Sequence, residues 1–397
     1  MEILIAASHR LIHSVPDSFI RYLYHDVRWH NRLIGIKGAR GTGKTTLLLQ
    51  YLKHSNIDRD KKVYLSLDDL YFIRHSILDF GVQFYQNGGK LMVLDEVHKY
   101  PNWSKEIKNL YDRHPDLQII FTGSSIIEIT KMEGDLSRRA LMYELKGLSY
   151  REYLAYNHDI HLPILKIEDL IHKNKDPDKF ILNDFKPLKY FKDYLTYGYY
   201  PFAMEDKDSY HLRIRQLIRT IVEYDMAEVK GLDIRQSKKI LHLLNIISQQ
   251  VPFKPNITSI AEKSGIHRNS INNYLYYLEE ARLIALLQHH NFSIASLQKP
   301  EKIYLDNTNH IYALSEQTPN IGNVRETFFF NQVSYLHSIT YAENADFLVD
   351  SNLTFEIGGS NKSTKQIKSF ENAYVVKDEI EVPVGRTIPL WMFGLLY

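Results

Sequence analysis

The sequence predicts an α/β protein: a parallel sheet with helices on both faces, then a helical segment, a three-helix segment with two short strands, and a smaller C-terminal α/β module. Three observations predict it. Short apolar runs alternate with helical stretches from residue 33 to about residue 145, which is the pattern of βαβ units. The first run is followed by a glycine-rich loop ending in Lys44-Thr45. The third run ends in the acid pair Asp95-Glu96.

Taken in order, residues 1–32 carry apolar positions at helical spacing (Leu11, Ile12, Phe19, Ile20, Leu23) and read as one or two helices. The strand candidates are Leu33–Lys37, Lys62–Leu67, Leu91–Leu94, Leu117–Phe121 and Ala140–Leu145, closing a first domain at 1–145. Residues 146–235 form a helical domain, with helical spacing over Tyr150–Tyr156 and Leu212–Val229 and breakers at Pro163, Pro177, Pro187 and Gly198–Pro201. Residues 236–306 read as helices Ser237–Ser248, Thr258–Ser264 and His267–Glu280, then strands Leu283–Leu287 and Lys302–Leu305. Residues 307–397 read as α/β, with a helix near Val324–His337 and strands Ala345–Val349 and Thr354–Ile357.

The 397 residues are 44% hydrophobic and 24% charged, a composition that excludes disordered and low-complexity classes. There is no cysteine, so disulfides, thiolate metal centres and a cysteine nucleophile are all excluded. Forty-nine basic against 47 acidic side chains leave a net charge of +2, so nucleic-acid binding would need a local basic patch. The N-terminus lacks the basic start and long apolar stretch of a secretory signal, and no apolar run approaches membrane-spanning length. A soluble, cytoplasmic protein is expected, with no membrane partner; nothing in the sequence sets an oligomeric state.

Gly38-Ala39-Arg40-Gly41-Thr42-Gly43-Lys44-Thr45 matches the phosphate-binding loop G-x-x-x-x-G-K-[ST], set between an apolar strand and an amphipathic helix. Its glycines let successive backbone N–H groups face phosphate oxygens at the positive end of the following helix. Lys44 is expected on the β- and γ-phosphates and Thr45 on Mg2+, with Thr46 completing the nucleotide-binding set. A parallel strand delivers Asp95 and Glu96 to the sheet edge where ligands bind. Asp95 would complete the metal shell and Glu96 would take the proton of the attacking water, pointing to hydrolysis.

The fourth strand runs into Thr122-Gly123-Ser124-Ser125, whose hydroxyls would meet the lytic water or the γ-phosphate, or else cap a helix. Ser66, Asp68 and Asp69 are assigned structural roles. Of Arg138 and Arg139, one is expected either at the γ-phosphate, with Arg139 the catalytic candidate, or as part of a surface pair.

These elements, together with Leu145–Tyr153, resemble the AAA-type ATPases of bacteria and archaea. More narrowly they resemble the subgroup whose C-terminal half is a domain of unknown function, built as a winged helix and a restriction-endonuclease-like module. Gly198–Pro201 and Lys302-Ile303-Tyr304-Leu305-Asp306 are similar to motifs of that half. The resemblance implies a P-loop NTPase domain, a helical lid over 146–235, a winged helix over 236–306 and a nuclease-like fold over 307–397. It also implies ATP as the nucleotide. The two co-located motifs then lead to an ATPase whose hydrolysis shifts the helical and winged-helix units.

Residues 256–275 fit a helix-turn-helix, with Gly265 at the turn and His267, Arg268, Asn269, Asn272 and Asn273 facing outward. The partner is then DNA or a protein; one Arg and no Lys in the third helix make a weak basic stripe. A nucleotide-gated DNA-binding or signalling switch is the alternative function. In the last module Glu326, Asp346 and Glu356 stand where the family resemblance would put the Mg2+-holding acids of a nuclease, but Gly358 takes the lysine position and Lys362 would have to reach back. An inactive nuclease-like fold is expected there.

Overall fold

In the computed structural model, which describes residues 1–123, 136, 139–172, 185–289, 300–362 and 371–397, the chain divides into two units, Met1–Gly147 and Leu148–Tyr397. The helical, three-helix and C-terminal stretches, separated by sequence, lie together in the second unit.

The first unit is a five-stranded, wholly parallel sheet in the order β2-β3-β4-β1-β5. Its strands are β1 (Leu33–Lys37), β2 (Lys62–Ser66), β3 (Leu91–Asp95), β4 (Gln118–Gly123) and β5 (Leu141–Glu144). All five coincide with runs read from sequence to within two residues. Parallel strands covered on both faces read as continuous apolar runs rather than alternating ones, and β3 is buried at every position. The covering helices are α1 (Glu2–Ser14), α3 (Lys44–His54), α4 (Ile77–Gln86) and α5 (Trp103–Arg113), with a short α2 (Leu23–Asp26) before β1. Leu47, Leu48 and Leu52 anchor α3 and are fully buried, each stabilising the fold by about 1.5–3 kcal/mol. The edge strand β2 is covered by α1: Ser8 Oγ accepts the Tyr64 N–H at 2.8 Å, satisfying a donor that an edge would leave open.

The order places β4 between β1 and β3, so the loop after β1 and the acids after β3 emerge on one edge, two strands apart.

The second unit opens with a capped helix, Tyr150–His158, in which Ser149 and Glu152 form a capping box. Helices Ile167–His172, Pro187–Tyr197 and Tyr210–Thr220 follow, the last continuing through a π-turn over Ile221–Met226. Helices Ile234–Ser248, Ile257–Ser264 and Arg268–Glu280 precede an antiparallel pair, β6 (Ile284–Leu287) and β7 (Lys302–Leu305). Gly265 has φ +63°, the left-handed turn expected of it. The third helix starts one residue late because His267 is its cap: its Nδ1 accepts the Asn269 N–H at 3.3 Å. Asn272 is half-buried rather than outward, whereas Arg268, Asn269 and Asn273 are exposed.

After Thr308–Leu314 and Ile321–Val333 comes a mixed sheet in the order β12-β11-β10-β9-β8. Its strands are Ile339–Thr340 (β8), Phe347–Val349 (β9), Leu353–Gly358 (β10), Ala373–Lys377 (β11) and Thr387–Pro389 (β12). Only β9 and β10 were legible as strands. A buried polar network ties the unit together: Asn309 accepts from the Tyr199 N–H (2.8 Å) and the Tyr210 hydroxyl, and donates to the Leu195 carbonyl (2.8 Å). His310 meets the Tyr200 hydroxyl at 2.9 Å. Gly198–Pro201 and the residues following Lys302–Leu305 therefore meet in one core.

Candidate phosphate-loop site

The loop between β1 and α3 needs its three glycines for two reasons. A Cβ on Gly38 would run into the Leu145 carbonyl oxygen. Gly41 and Gly43 have φ of +79° and +94°, a region that side chains disfavour. Gly43 is also the N-cap of α3, so the loop's amides lie at the positive end of that helix.

Lys44 is only 6% exposed. Its Nζ donates to the carbonyls of Gly38 (2.8 Å) and Ala39 (3.0 Å), so the ammonium is folded over the loop it follows. The Thr42 hydroxyl donates to Ala39 O at 2.9 Å, closing the loop on itself. Arg40 and Gly41 stand at the loop's tip, and Thr45 and Thr46 are exposed on the first turn of α3.

Asp95 ends β3 and is 1% exposed. Its Oδ2 accepts from the Thr45 hydroxyl at 2.6 Å and from the Tyr64 hydroxyl at 2.8 Å, and its Oδ1 from the Glu96 N–H at 2.9 Å. Burial pushes this carboxyl above its usual range, while the Thr45 and Tyr64 hydroxyls pull it back. Burial, with Asp95 alongside, raises the Tyr64 phenol far up, so it stays a donor. Glu96 has a left-handed backbone, φ +54°, a conformation uncommon for a non-glycine residue. Its Oε2 lies 3.3 Å from Nδ1 of the buried His98. The loop and the acid pair thus converge, as the sequence order required.

Other candidates are placed differently. Thr122 spends its hydroxyl on the Ile36 carbonyl, 2.5 Å away, and is fully buried, which makes it a strand tie. Asp69 caps a 3-10 turn by accepting from Tyr71 N at 2.8 Å, as its structural assignment required. Arg139 is not brought to the loop. Its Nε and Nη2 make a two-point pair with Asp112 at 2.8 and 3.1 Å, one residue from the far end of α5. α5 begins after β3's acid end and runs back toward the start of β4, so the guanidinium sits toward the opposite sheet edge. Ser124, Ser125 and Arg138 lie outside the described residues.

Sequence reasoning missed Tyr64, His98 and Arg21. Tyr64 had a signal: it shares a strand face with Ser66, which pairs in register with Asp95. His98 followed the acid pair by two residues with nothing to show it would be buried, and Arg21 had no local signal at all.

The residues fit a magnesium–nucleotide group. A hydroxyl and one carboxylate in contact, beside a glycine cradle and a buried lysine, match the sparse donor set by which Mg2+ shares its shell with phosphates and water. The C-terminal acids do not fit a metal. Lys302 Nζ lies 3.2 Å from Glu326 and 3.4 Å from Asp346, the place a cation would take. Lys362 does reach back: it lies over Gly358, where a Cβ would meet it at 2.7–2.8 Å, and its ammonium pairs with Glu356. Among the described residues no group of three or more His, Cys, Asp or Glu is arranged to hold a metal. Among them, too, no helix is long and apolar enough to cross a membrane.

Residues 30–154 match the family of AAA domains, and residues 188–320 match a domain of unknown function (DUF8612). The first of these matches covers most of the first unit, and with the glycine loop and the parallel sheet it supports a nucleotide-binding P-loop domain there. The chain is 28% identical over 297 residues to uncharacterized protein MJ1637 of Methanocaldococcus jannaschii, covering 71% of this chain and 62% of that one. It is 23% identical over 377 residues to uncharacterized protein MJ1544 of the same organism, covering 88% of this chain and 79% of that one. The chain spans less than two thirds of the first of these relatives. Among solved structures, the Walker-type ATPase paby2304 of Pyrococcus abyssi matches with a TM-score of 0.41 at 12% identity, over 77% of this chain and 99% of that chain.

Proposed function

We propose that residues 1–147 bind Mg·ATP and hydrolyse it, with turnover acting on the unit that begins at Leu148. The observation that carries this reading is the contact between the Thr45 hydroxyl and Asp95, which brings the glycine loop and the acid strand into one site. Amides of Gly41 to Thr46 face the phosphates, and Lys44 leaves the Gly38 and Ala39 carbonyls for the β- and γ-phosphate oxygens. Thr45 and Asp95 would hold Mg2+, which would offset phosphate charge when bound. Glu96, poised by His98 on a constrained backbone, accepts a proton from water as its oxygen attacks the γ-phosphorus and ADP leaves.

Arg139 has no part in this reading while Asp112 holds it. The third helix of the 234–280 segment offers Arg268 alone to a phosphate backbone, and we assign it no DNA.

The test is nucleotide binding by calorimetry together with phosphate release. Lys44→Ala should lose ATP binding, and Glu96→Gln should bind ATP with near wild-type affinity while turnover falls at least a hundredfold. Normal turnover by Glu96→Gln would remove the general base from the scheme.

A further inference from the structure

Arg21 is 4% exposed, in the segment between α1 and α2. Its guanidinium reaches three backbone carbonyls on two loops. Nη1 donates to Thr42 O, at the heart of the glycine loop. Nη2 donates to Lys146 O at 2.8 Å and Gly147 O at 3.0 Å, the last residues before the second unit begins. A separate link runs alongside it, since Leu145 N donates to Lys37 O at 2.8 Å.

The peptide plane gives this arrangement a consequence. In a trans peptide the carbonyl and the following N–H point in opposite directions. By holding the Thr42 oxygen, Arg21 aims the Gly43 N–H away from itself. Gly43 is the N-cap of α3, so this N–H belongs to the set that meets an anion at a helix start. An anion accepting from that N–H draws charge along the peptide and strengthens the Thr42 carbonyl as an acceptor, because hydrogen bonds in a chain polarise one another. Arg21 then shares its donors differently between Thr42 and the Lys146–Gly147 carbonyls.

We propose that Arg21 is a positioning residue that orients the Gly43 amide for a phosphate and relays occupancy of the loop to residues 146–147. The inference rests on the reading of the loop as a triphosphate site. Arg21 itself touches no phosphate in that reading and acts through the Gly43 amide, so its failure is separable from that reading's failure.

The experiment uses the full chain as wild type, Arg21→Met and Arg21→Lys, each checked by thermal melt. Fluorescent mant-ATP with Mg2+ is titrated, and amide hydrogen exchange is followed over peptides covering 38–46 and 144–150 with and without ATP. Losing a charge-assisted bond to the loop should weaken mant-ATP binding by tenfold or more in Arg21→Met. Arg21→Lys keeps the charge but lacks the two-armed fork. It should bind within a few fold of wild type yet lose the ATP-dependent change in exchange at 144–150 that wild type shows. A dissociation constant within twofold of wild type in Arg21→Met, or an exchange response at 144–150 that survives in folded Arg21→Lys, overturns the proposal. Failure of the wild type itself to bind mant-ATP would instead remove the triphosphate reading.

Discussion

Tyr64→Phe is the sharpest probe of the metal side of the site. The substitution keeps the ring in the β2 wall and removes one oxygen, whose proton is donated to Asp95 Oδ2 at 2.8 Å. Asp95, almost fully enclosed, accepts three hydrogen bonds, and its Oδ2 is shared by Tyr64 and Thr45. A hydrogen bond to a charged group is worth about 1.5–3 kcal/mol, or roughly ten- to a hundredfold in an equilibrium. Loss of an outer partner of a metal ligand typically costs about ten- to a hundredfold in metal affinity. The two scales agree, so the Mg2+ concentration for half-maximal phosphate release, at saturating ATP, should rise about tenfold or more. Binding of mant-ATP in EDTA should stay within about twofold of wild type, because Tyr64 orients the carboxylate and not the loop. An unchanged Mg2+ titration, or an equal loss with and without metal, would refute the reasoning.

Two further outcomes concern the second unit. Lys302→Met leaves Glu326 and Asp346 facing each other with no cation between them, and should cost about 2 kcal/mol in urea unfolding at pH 7.5. Burial already raises the Glu326 carboxyl, so protonation relieves the clash, and the penalty should shrink at pH 5; an equal penalty at both values would contradict this. Burial lowers the His310 imidazole, so it is neutral when folded but titrates near its ordinary pKa of 6.5 when unfolded. Stability is therefore complete above pH 6.5 and falls as pH drops, by up to about 1.4 kcal/mol per unit. His158, also lowered by burial, adds to the same slope. His310→Gln should flatten the fall in melting temperature between pH 7.5 and 5.5, and an unaltered slope would exclude His310 as its source.

The first sheet was readable because parallel strands buried on both faces leave apolar runs with nothing polar inside them, as in Leu91–Asp95. Its motif residues were readable because the chemistry demands particular types at fixed spacing: glycines at positive φ, a lysine, a hydroxyl and an acid at a strand end. What stayed hidden acts across the fold. Arg21 meets residues more than a hundred positions away, a partnership that no local pattern encodes. Arg139 follows its motif neighbours in sequence, but the Asp112 carboxylate competes for it in space. In the last module β11 and β12 were missed because they are set by parallel pairing, β11 with β10 and β12 with β11, rather than by alternation of their own. Lys362 shows the converse. Its sequence offset argued against Glu356, yet the missing side chain at Gly358 opens the path for it.

The family match starts at residue 30, and a fragment cut there would look complete by homology. It would nonetheless lack Ser8, whose oxygen occupies the Tyr64 amide on the outer strand. The trimmed piece would present an open β ribbon to its own copies and tend to precipitate. The first 29 residues work as a selvedge that keeps the cloth of the sheet from fraying, and a soluble nucleotide-binding fragment should be cut to keep them.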